Sequence, residues 1–338
     1  MCLNMLRHAT CPMYLVALEG SREESLARWP LLREFADRLH FLNKTDGFCG
    51  QSVRQLRRII RQHRAQAIHT HHIGPLLYGK LAILGLACRH VHTEHDAWHL
   101  EDPKQCWLTR LLMSKQIRLV ADAPTVADDL AKKLHTVAPL VILNGIDTQQ
   151  FIPGDQAAAR QQLNLPPDAF LIGCAGRLVP EKALETLLEI LPTLPSSMHV
   201  AVAGDGEMRQ RWQQLARQLG VAERITWLGY VNNMHRFYQA IDLFCMPSVK
   251  EGLPLALLEA QACGCSVVAS RVGAIPELTN PATGALFTPE DRRSLASILR
   301  RKLTADHHHN RTLNQQYVAR IADIRTTVAR YQQLACQC

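Results

Sequence analysis

Short apolar runs alternate with helix-like stretches along most of this chain, and that alternation leaves few folds open. Apolar runs at 12–18, 67–70, 90–93, 117–121 and 140–143 are separated by amphipathic patterns at 52–64, 75–86 and 125–134. In 52–64, Val53, Leu56, Ile59 and Ile60 fall on one stripe at helical spacing. Strands interleaved with helices predict a parallel sheet covered on both faces. Turn chemistry in Asn144-Gly-Ile-Asp147 and Phe151-Ile-Pro-Gly154 interrupts the pattern. It then restarts, with strands at 170–174, 199–203, 225–228, 242–246 and 266–269 and helices near 181–191, 206–219, 233–240 and 254–263. A chain of 338 residues, 47% hydrophobic, has core enough for two such domains. The boundaries read as 1–150 and 151–312, followed by a helical tail over 313–338.

In an open parallel sheet, ligands sit beyond the carboxyl ends of the strands, and the second half carries its chemistry there. After the strand at 242–246 comes Ser248-Val-Lys-Glu-Gly-Leu-Pro-Leu-Ala-Leu-Leu-Glu-Ala260. Pro254 suits a first helical turn, so Glu251 with Gly252 and Leu253 belongs to a loop and Glu259 to a helix. The free N–H groups of Leu255 and Ala256 then suit an anion such as phosphate. Glu259 follows roughly 7 Å along the axis, at about 1.5 Å per residue, where a carboxylate accepts from sugar hydroxyls. Two glutamates at this spacing alone would describe an ordinary solvated helix face. Arg177 and Lys182 in Gly173-Cys-Ala-Gly-Arg-Leu-Val-Pro-Glu-Lys182 change that. Cations at a helix start oppose its dipole, yet a forked guanidinium and a mobile ammonium suit a diphosphate. Ala203-Gly-Asp-Gly-Glu207 and Leu228-Gly-Tyr-Val231 end the two strands between.

These four stretches, with the turn Val272-Gly-Ala-Ile-Pro-Glu277, resemble in order the motifs of retaining glycosyltransferases of family 4, also called group 1. Ala183 stands where that family's Gly-Arg-Leu-x-x-Glu-Lys-Gly motif has its last glycine. The resemblance implies the GT-B fold, two Rossmann-like domains facing across a cleft, with the last helix crossing back onto the first. It implies that Arg177 and Lys182 hold the diphosphate of a nucleotide sugar. Glu259 would hold the ribose, Glu251 with Gly252, Leu253, Pro254 and Leu255 the donor sugar, Gly204 the edge of the nucleotide pocket, and Tyr230 and Val231 the base. Thr93-Glu-His-Asp96 resembles the family's cleft-facing histidine segment, which makes His95 the first domain's candidate for touching a sugar hydroxyl. Family members work without a metal, so no cofactor beyond the nucleotide-sugar substrate is expected. The implied reaction moves a sugar to a hydroxyl on a glycan or glycolipid, in bacterial-type polysaccharide or lipopolysaccharide synthesis. Retention is open between double displacement through a carboxylate and same-face attack assisted by the leaving phosphate. A sugar-nucleotide epimerase on this architecture would need no acceptor, and a silent binder would hold the donor without turning it over.

The remaining features say less. The net charge of +8 favours an anionic partner, but no finger, aromatic-studded RNA motif or dimeric basic region points to nucleic acid. Sixteen histidines invite a metal, yet none form the helical zinc spacing joined to a carboxylate. The eleven cysteines lack paired zinc spacing and read as reduced thiols, and with no spanning run the expected location is cytoplasmic. Arg54, Arg57, Arg58, Arg61 and Arg64 stripe one helix; such a face is usually solvated, and it also suits peripheral contact with the inner face of an anionic membrane. Only eleven residues precede the run at 12–18. Family members open with a further strand, glycine-rich loop and helix, so the first sheet is expected to lack that strand and to show an edge or a gap.

Overall fold

The computed structural model describes residues 1–114, 116–304 and 307–336, with 307–309 as backbone only. It divides into two units: Met1–Gly145 with Ile324–Cys338, and Ile146–Asp323. The boundaries drawn from the sequence therefore shift, because the helical tail is two helices, His307–Ile321 and Ile324–Cys336. Only the second belongs to unit 1, where Ile324, Val328 and Tyr331 bury against Met5, Val91, Val120 and Ile142. Between the two helices, Ile146 N donates to Ala322 O at 2.9 Å, which holds both crossings in unit 2.

Unit 1 has two sheets. The strands β1 (Leu15–Ala17) and β2 (Leu39–Phe41) pair with each other, and β3 (Ala67–His71), β4 (Arg89–Glu94), β5 (Ile117–Ala121) and β6 (Leu140–Val141) form a parallel sheet in chain order. Among the described residues no strand joins the two, and the residues before β1 form a short helix, Cys2–His8. The helix Gly50–Gln62 turns Ser52, Leu56 and Ile60 inward, one residue per turn. Its arginine stripe is not uniform. Arg54, Arg58, Arg61 and Arg64 are exposed, but Arg57 Nη1 donates to Ala82 O at 2.9 Å and Leu84 O at 2.6 Å. Those carbonyls close the helix Ile73–Ala82, whose end has no intrahelical donors to offer them.

Unit 2 has one six-stranded parallel sheet of β7 (Phe170–Ala175), β8 (Met198–Ala203), β9 (Ile225–Gly229), β10 (Leu243–Met246), β11 (Ser266–Ser270) and β12 (Ala285–Phe287), ordered β12-β11-β10-β7-β8-β9. Helices cover both faces, so the central strands are apolar throughout: Leu171, Ile172, Val200, Val202, Leu243, Phe244, Val267 and Val268 are all buried. The order reverses between β7 and β10, and a crevice opens there at the carboxyl ends. At the amino ends Arg160 Nη2 pairs with Asp242 Oδ2 at 2.7 Å, the same oxygen accepting from Leu171 N at 2.7 Å.

Arg57→Gln should cost about 1 kcal/mol in urea denaturation, the low end for a charged hydrogen bond because the site is part-exposed, whereas Arg54→Gln should change stability by less than about 0.5 kcal/mol. Equal effects would mean that Arg57 does not tie the two helices.

Candidate functional site

The crevice in unit 2 exists because three loops approach each other more closely than side chains permit. Gly176, after β7, has φ 139, and Gly204, after β8, has φ 136. A Cβ on Gly204 would fall inside the Gly176 carbonyl oxygen, and one on Gly206 inside that of Leu178. Backbone bonds stitch the loops together: Gly176 N to Ala203 O at 3.0 Å, Leu178 N to Asp205 O at 2.9 Å and Gly204 N to Gly229 O at 2.7 Å. Tyr230 follows directly, 78% exposed, its ring free to meet a planar ligand, with Val231 half-buried beside it. On the other side of the switch point, Gly273 at φ 50 packs on the carbonyl of Glu251, and Ala274 N donates to Gly252 O at 3.2 Å.

The crevice is lined by Gly176, Arg177, Lys182, Pro247 and Ser248 among others. Arg177 is exposed, and no side-chain partner is recorded for it among the described residues. Lys182 is not free in this state: its Nζ lies 2.6 Å from Glu251 Oε1, which also accepts from Ser248 Oγ at 2.6 Å. The family resemblance implies separate roles for these two residues, and the structure pairs them. Ala183, in the family's glycine position, adopts φ 43, a conformation glycine reaches without strain.

Pro254 stands just before the helix Leu255–Ala262 as its N-cap, not inside its first turn. It is buried between half-buried Leu253 and Leu255. The first N–H groups of that helix have no intrahelical acceptors. Further along, Glu259 Oε2 accepts from Tyr238 Oη at 2.9 Å, a partner that sequence reasoning missed. Burial raises the Glu259 carboxyl above its usual range, partly offset by that hydrogen bond.

Seven of unit 1's histidines, His69, His71, His72, His90, His92, His95 and His99, lie along β3 and β4 and in the residues that follow them. His95 Nδ1 lies 2.9 Å from Asp122 Oδ2, and Asn144 Nδ2 donates to the same oxygen at 3.1 Å. His71 Nδ1 lies 3.0 Å from His95 Nε2. Deeper, Thr70 Oγ1 bridges His90 Nε2 at 2.8 Å and His92 Nδ1 at 3.0 Å, and Glu94 accepts from His92 Nε2 at 3.0 Å. Burial alone would raise Glu94, but hydrogen bonds from His92 and His99 bring it to about 2. Asp96 and Glu94 raise His99 to about 9. Among the described residues, no group of three or more His, Cys, Asp or Glu side chains is placed to hold a metal ion.

Glu259→Gln keeps the hydrogen bond from Tyr238 and removes a charge that burial disfavours, so it should leave stability at neutral pH unchanged or raise it by up to about 1 kcal/mol. Tyr238→Phe strands a carboxylate oxygen and should cost about 1 to 3 kcal/mol. Denaturation curves check both, and the reverse ranking would mean that Glu259 is a structural ion. In unit 1, burial first and neighbouring imidazoles second hold His69, His71 and His90 at about 3, 2 and 4. An unfolded histidine protonates near pH 6.5, so below that each costs the fold about 1.4 kcal/mol per pH unit until its folded value is reached. Glu94 adds to the loss as pH falls from about 4.5 through about 2. The contribution of His99 is complete below about 6.5 and is lost as pH rises through about 9. Unit 1 should therefore be most stable near neutrality and weaken from about pH 6.5 downward, measured by denaturant titration at stepped pH. His90→Asn should flatten that slope, and an unchanged slope would contradict the neutral assignment.

Known proteins resemble this chain in sequence and fold. Two family models match successive parts of the chain, Glycosyltransferase Family 4 over residues 3–150 and Glycosyl transferases group 1 over residues 155–317. The D-inositol 3-phosphate glycosyltransferase of Mycolicibacterium gilvum is 34% identical over 217 residues, covering 61% of this chain and 49% of that protein. That of Stackebrandtia nassauensis is 30% identical over 246 residues, covering 64% and 55%. The chain thus spans about half the length of the curated relatives it matches. In solved structures the fold recurs in Anabaena Alr3699/HepE in complex with UDP, with TM-score 0.81 and 22% identity over 91% of this chain and 88% of that one. It recurs in a glycosyltransferase from Rickettsia africae, with TM-score 0.82 and 17% identity over 99% and 91%. With its fold of two Rossmann-like units and both family models matched in order, the chain belongs to the family 4, group 1 glycosyltransferases.

Proposed function

We propose that this chain transfers a sugar, with retention, from a nucleotide-diphosphate sugar to a hydroxyl of a glycan, glycolipid or phosphorylated polyol. The observation that carries the reading is Arg177 and Lys182 at the crevice beside the switch point of unit 2, with Lys182 bonded to Glu251 in the loop that leads into the helix Leu255–Ala262. Two cations and a helix end answer a diphosphate that leaves with the bonding electron pair. Glu259, its second oxygen without a recorded partner among the described residues, serves the ribose hydroxyls. Gly204, Tyr230 and Val231 border the base, and Gly252, Leu253, Pro254 and Leu255 frame the donor sugar. The Lys182 pairing with Glu251 adds a step: a diphosphate competes for the ammonium and frees Glu251 for the sugar. The donor is substrate rather than cofactor, and no metal is invoked.

The relatives named for D-inositol 3-phosphate make that compound the first acceptor to try. A polysaccharide or lipopolysaccharide acceptor is the next. No helix among the described residues is long and apolar enough to cross a membrane. The exposed Arg54, Arg58, Arg61 and Arg64 suit peripheral contact with an anionic inner leaflet, and the location we propose is cytoplasmic.

The test is a thermal-shift panel of UDP-glucose, GDP-mannose, ADP-glucose and the free diphosphates, with and without EDTA, followed by transfer assays. Selective binding stabilises the native state. Arg177→Ala should lower turnover by about 10²-fold or more and change stability by less than about 0.5 kcal/mol. Lys182→Ala should lower turnover comparably and also cost about 1 to 3 kcal/mol, because it strips a partner from Glu251, whose side chain is 9% exposed. Wild-type rates in both variants would refute the site. Conversion of the donor without any acceptor would favour an epimerase, and binding without turnover a silent binder.

A further inference from the structure

Lys182 and Glu251 meet at the crevice of unit 2, and a third residue holds the same carboxylate oxygen. Ser248, which also lines the crevice, donates from Oγ to Glu251 Oε1 at 2.6 Å, and Lys182 Nζ lies 2.6 Å from that atom. The two donors differ in freedom. Lys182 stands on a flexible four-carbon stem, its side chain 26% exposed, and its charge is open to any anion that enters. Ser248 is fully buried, and bonds from two other segments pin its main chain. Its carbonyl accepts from the Oγ of Ser270, the last residue of β11 and fully buried too, and the next residue, Val249, donates from its N to Glu181 O at 2.9 Å. The Ser248 hydroxyl is therefore placed by the fold alone. A carboxylate has two oxygens, and both donors take Oε1. Glu251 Oε2 has no recorded partner among the described residues and is not one of their buried, unpartnered atoms. Glu251 thus keeps one oxygen inside and shows the other to solvent, where an ionised carboxylate can only accept.

We propose that Ser248 is a positioning residue for donor-sugar recognition: it holds Glu251 by Oε1 so that Oε2 meets a sugar hydroxyl, and it keeps that hold when the diphosphate draws Lys182 away. The inference rests on the nucleotide-sugar reading for its ligand and on the hydrogen-bond geometry for its mechanism. Without a diphosphate, Lys182 offsets the charge of Glu251. With one, the ammonium turns to the phosphate oxygens, and Glu251 loses a partner just as the sugar comes beside it. A side chain released at that moment would have to be ordered again at the expense of the sugar contact. The bond from Ser248 leaves it one orientation instead. In this scheme Ser248 touches no substrate. The two halves of the donor are read by different groups, the diphosphate by Arg177 and Lys182 and the sugar by Glu251 as Ser248 holds it.

The test compares a ligand that carries the diphosphate alone with one that carries the sugar as well. Calorimetric titration of the full chain uses UDP and UDP-glucose, or the matching pair of another base where the thermal-shift panel selects it. Ser248→Ala should weaken the sugar nucleotide about tenfold and leave the free nucleoside diphosphate within about threefold. Lys182→Ala should weaken both, since both carry the diphosphate. With Glu251→Ala already in place, adding Ser248→Ala should change the affinity for the sugar nucleotide by less than about twofold, because the two changes break one contact. Should Ser248→Ala melt early, Ser248→Cys keeps the side-chain volume with a weaker donor and should show the same split at smaller size. A loosened loop would weaken both ligands alike. Equal losses for the two ligands, no loss for either, or full additivity with Glu251→Ala overturns the role of Ser248 and leaves the donor site standing. If the unmodified chain binds none of the nucleotides or nucleotide sugars, the nucleotide-sugar reading is overturned, and this proposal with it.

Discussion

The site in unit 2 depends on a backbone contact: Gly204 lies so close to the carbonyl of Gly176 that no side chain fits between them. The contact brings the loop after β7 under the loop after β8, and the bond from Gly204 N to Gly229 O adds the loop after β9. Three strand ends thereby form one floor, with Arg177 at one edge and Tyr230 at the other. Gly273 does the same across the switch point by admitting the carbonyl of Glu251. The glycines serve through their missing Cβ and their left-handed φ, which together let main chain stand where a ligand must meet main-chain N–H groups.

A floor of loops needs rigid supports, and buried polar groups provide them. The helix that bears Glu259 also bears Gln261, which donates to Leu278 O at 2.9 Å and accepts from Asn280 N at 2.7 Å. Asn280 Nδ2 reaches Asn314 Oδ1 at 3.0 Å, and Asn314 returns to Cys265 O at 3.0 Å. Helix, turn and the long helix behind are thus held in one register, because a slip would strand buried amides at about 1 to 3 kcal/mol each. Arg160 and Asp242 act similarly at the opposite ends of the strands, where five protein acceptors and donors satisfy them.

Much of this was legible in sequence, for a physical reason. Strands buried on both faces must be apolar throughout, so β7, β8, β10 and β11 stand out even without alternation. The strands β2 and β12 were missed: each is three residues long and, unlike β1 and β6, lies outside the apolar runs that mark the other strands. The motif residues were found where loops follow strands, and Arg177, Lys182, Gly204 and Glu251 lie at strand ends that the sheet order brings together. Pairings escaped. Tyr238 sits 21 residues from Glu259 and Asp122 lies 27 residues from His95. Each joins neighbouring elements, and nothing within either segment encodes the other. Lys182 and Glu251 were each legible as a site residue, but their mutual bond depends on loop geometry that only the fold supplies.

The two units handle charge in opposite ways. Unit 2 places its cations at an open crevice, Arg177 in solvent and Lys182 paired with Glu251. Unit 1 instead buries imidazoles in two hydrogen-bonded groups, His90 and His92 on Thr70 with Glu94 accepting from His92, and His71 on His95 with Asp122 beside it. A neutral imidazole can accept at one nitrogen while donating at the other, so it can be buried among hydroxyls and other imidazoles without carrying charge. Burial thus sets the chemistry of His69, His71 and His90, which stay uncharged down to about pH 3, 2 and 4, whereas in unit 2 the cations stand at the surface.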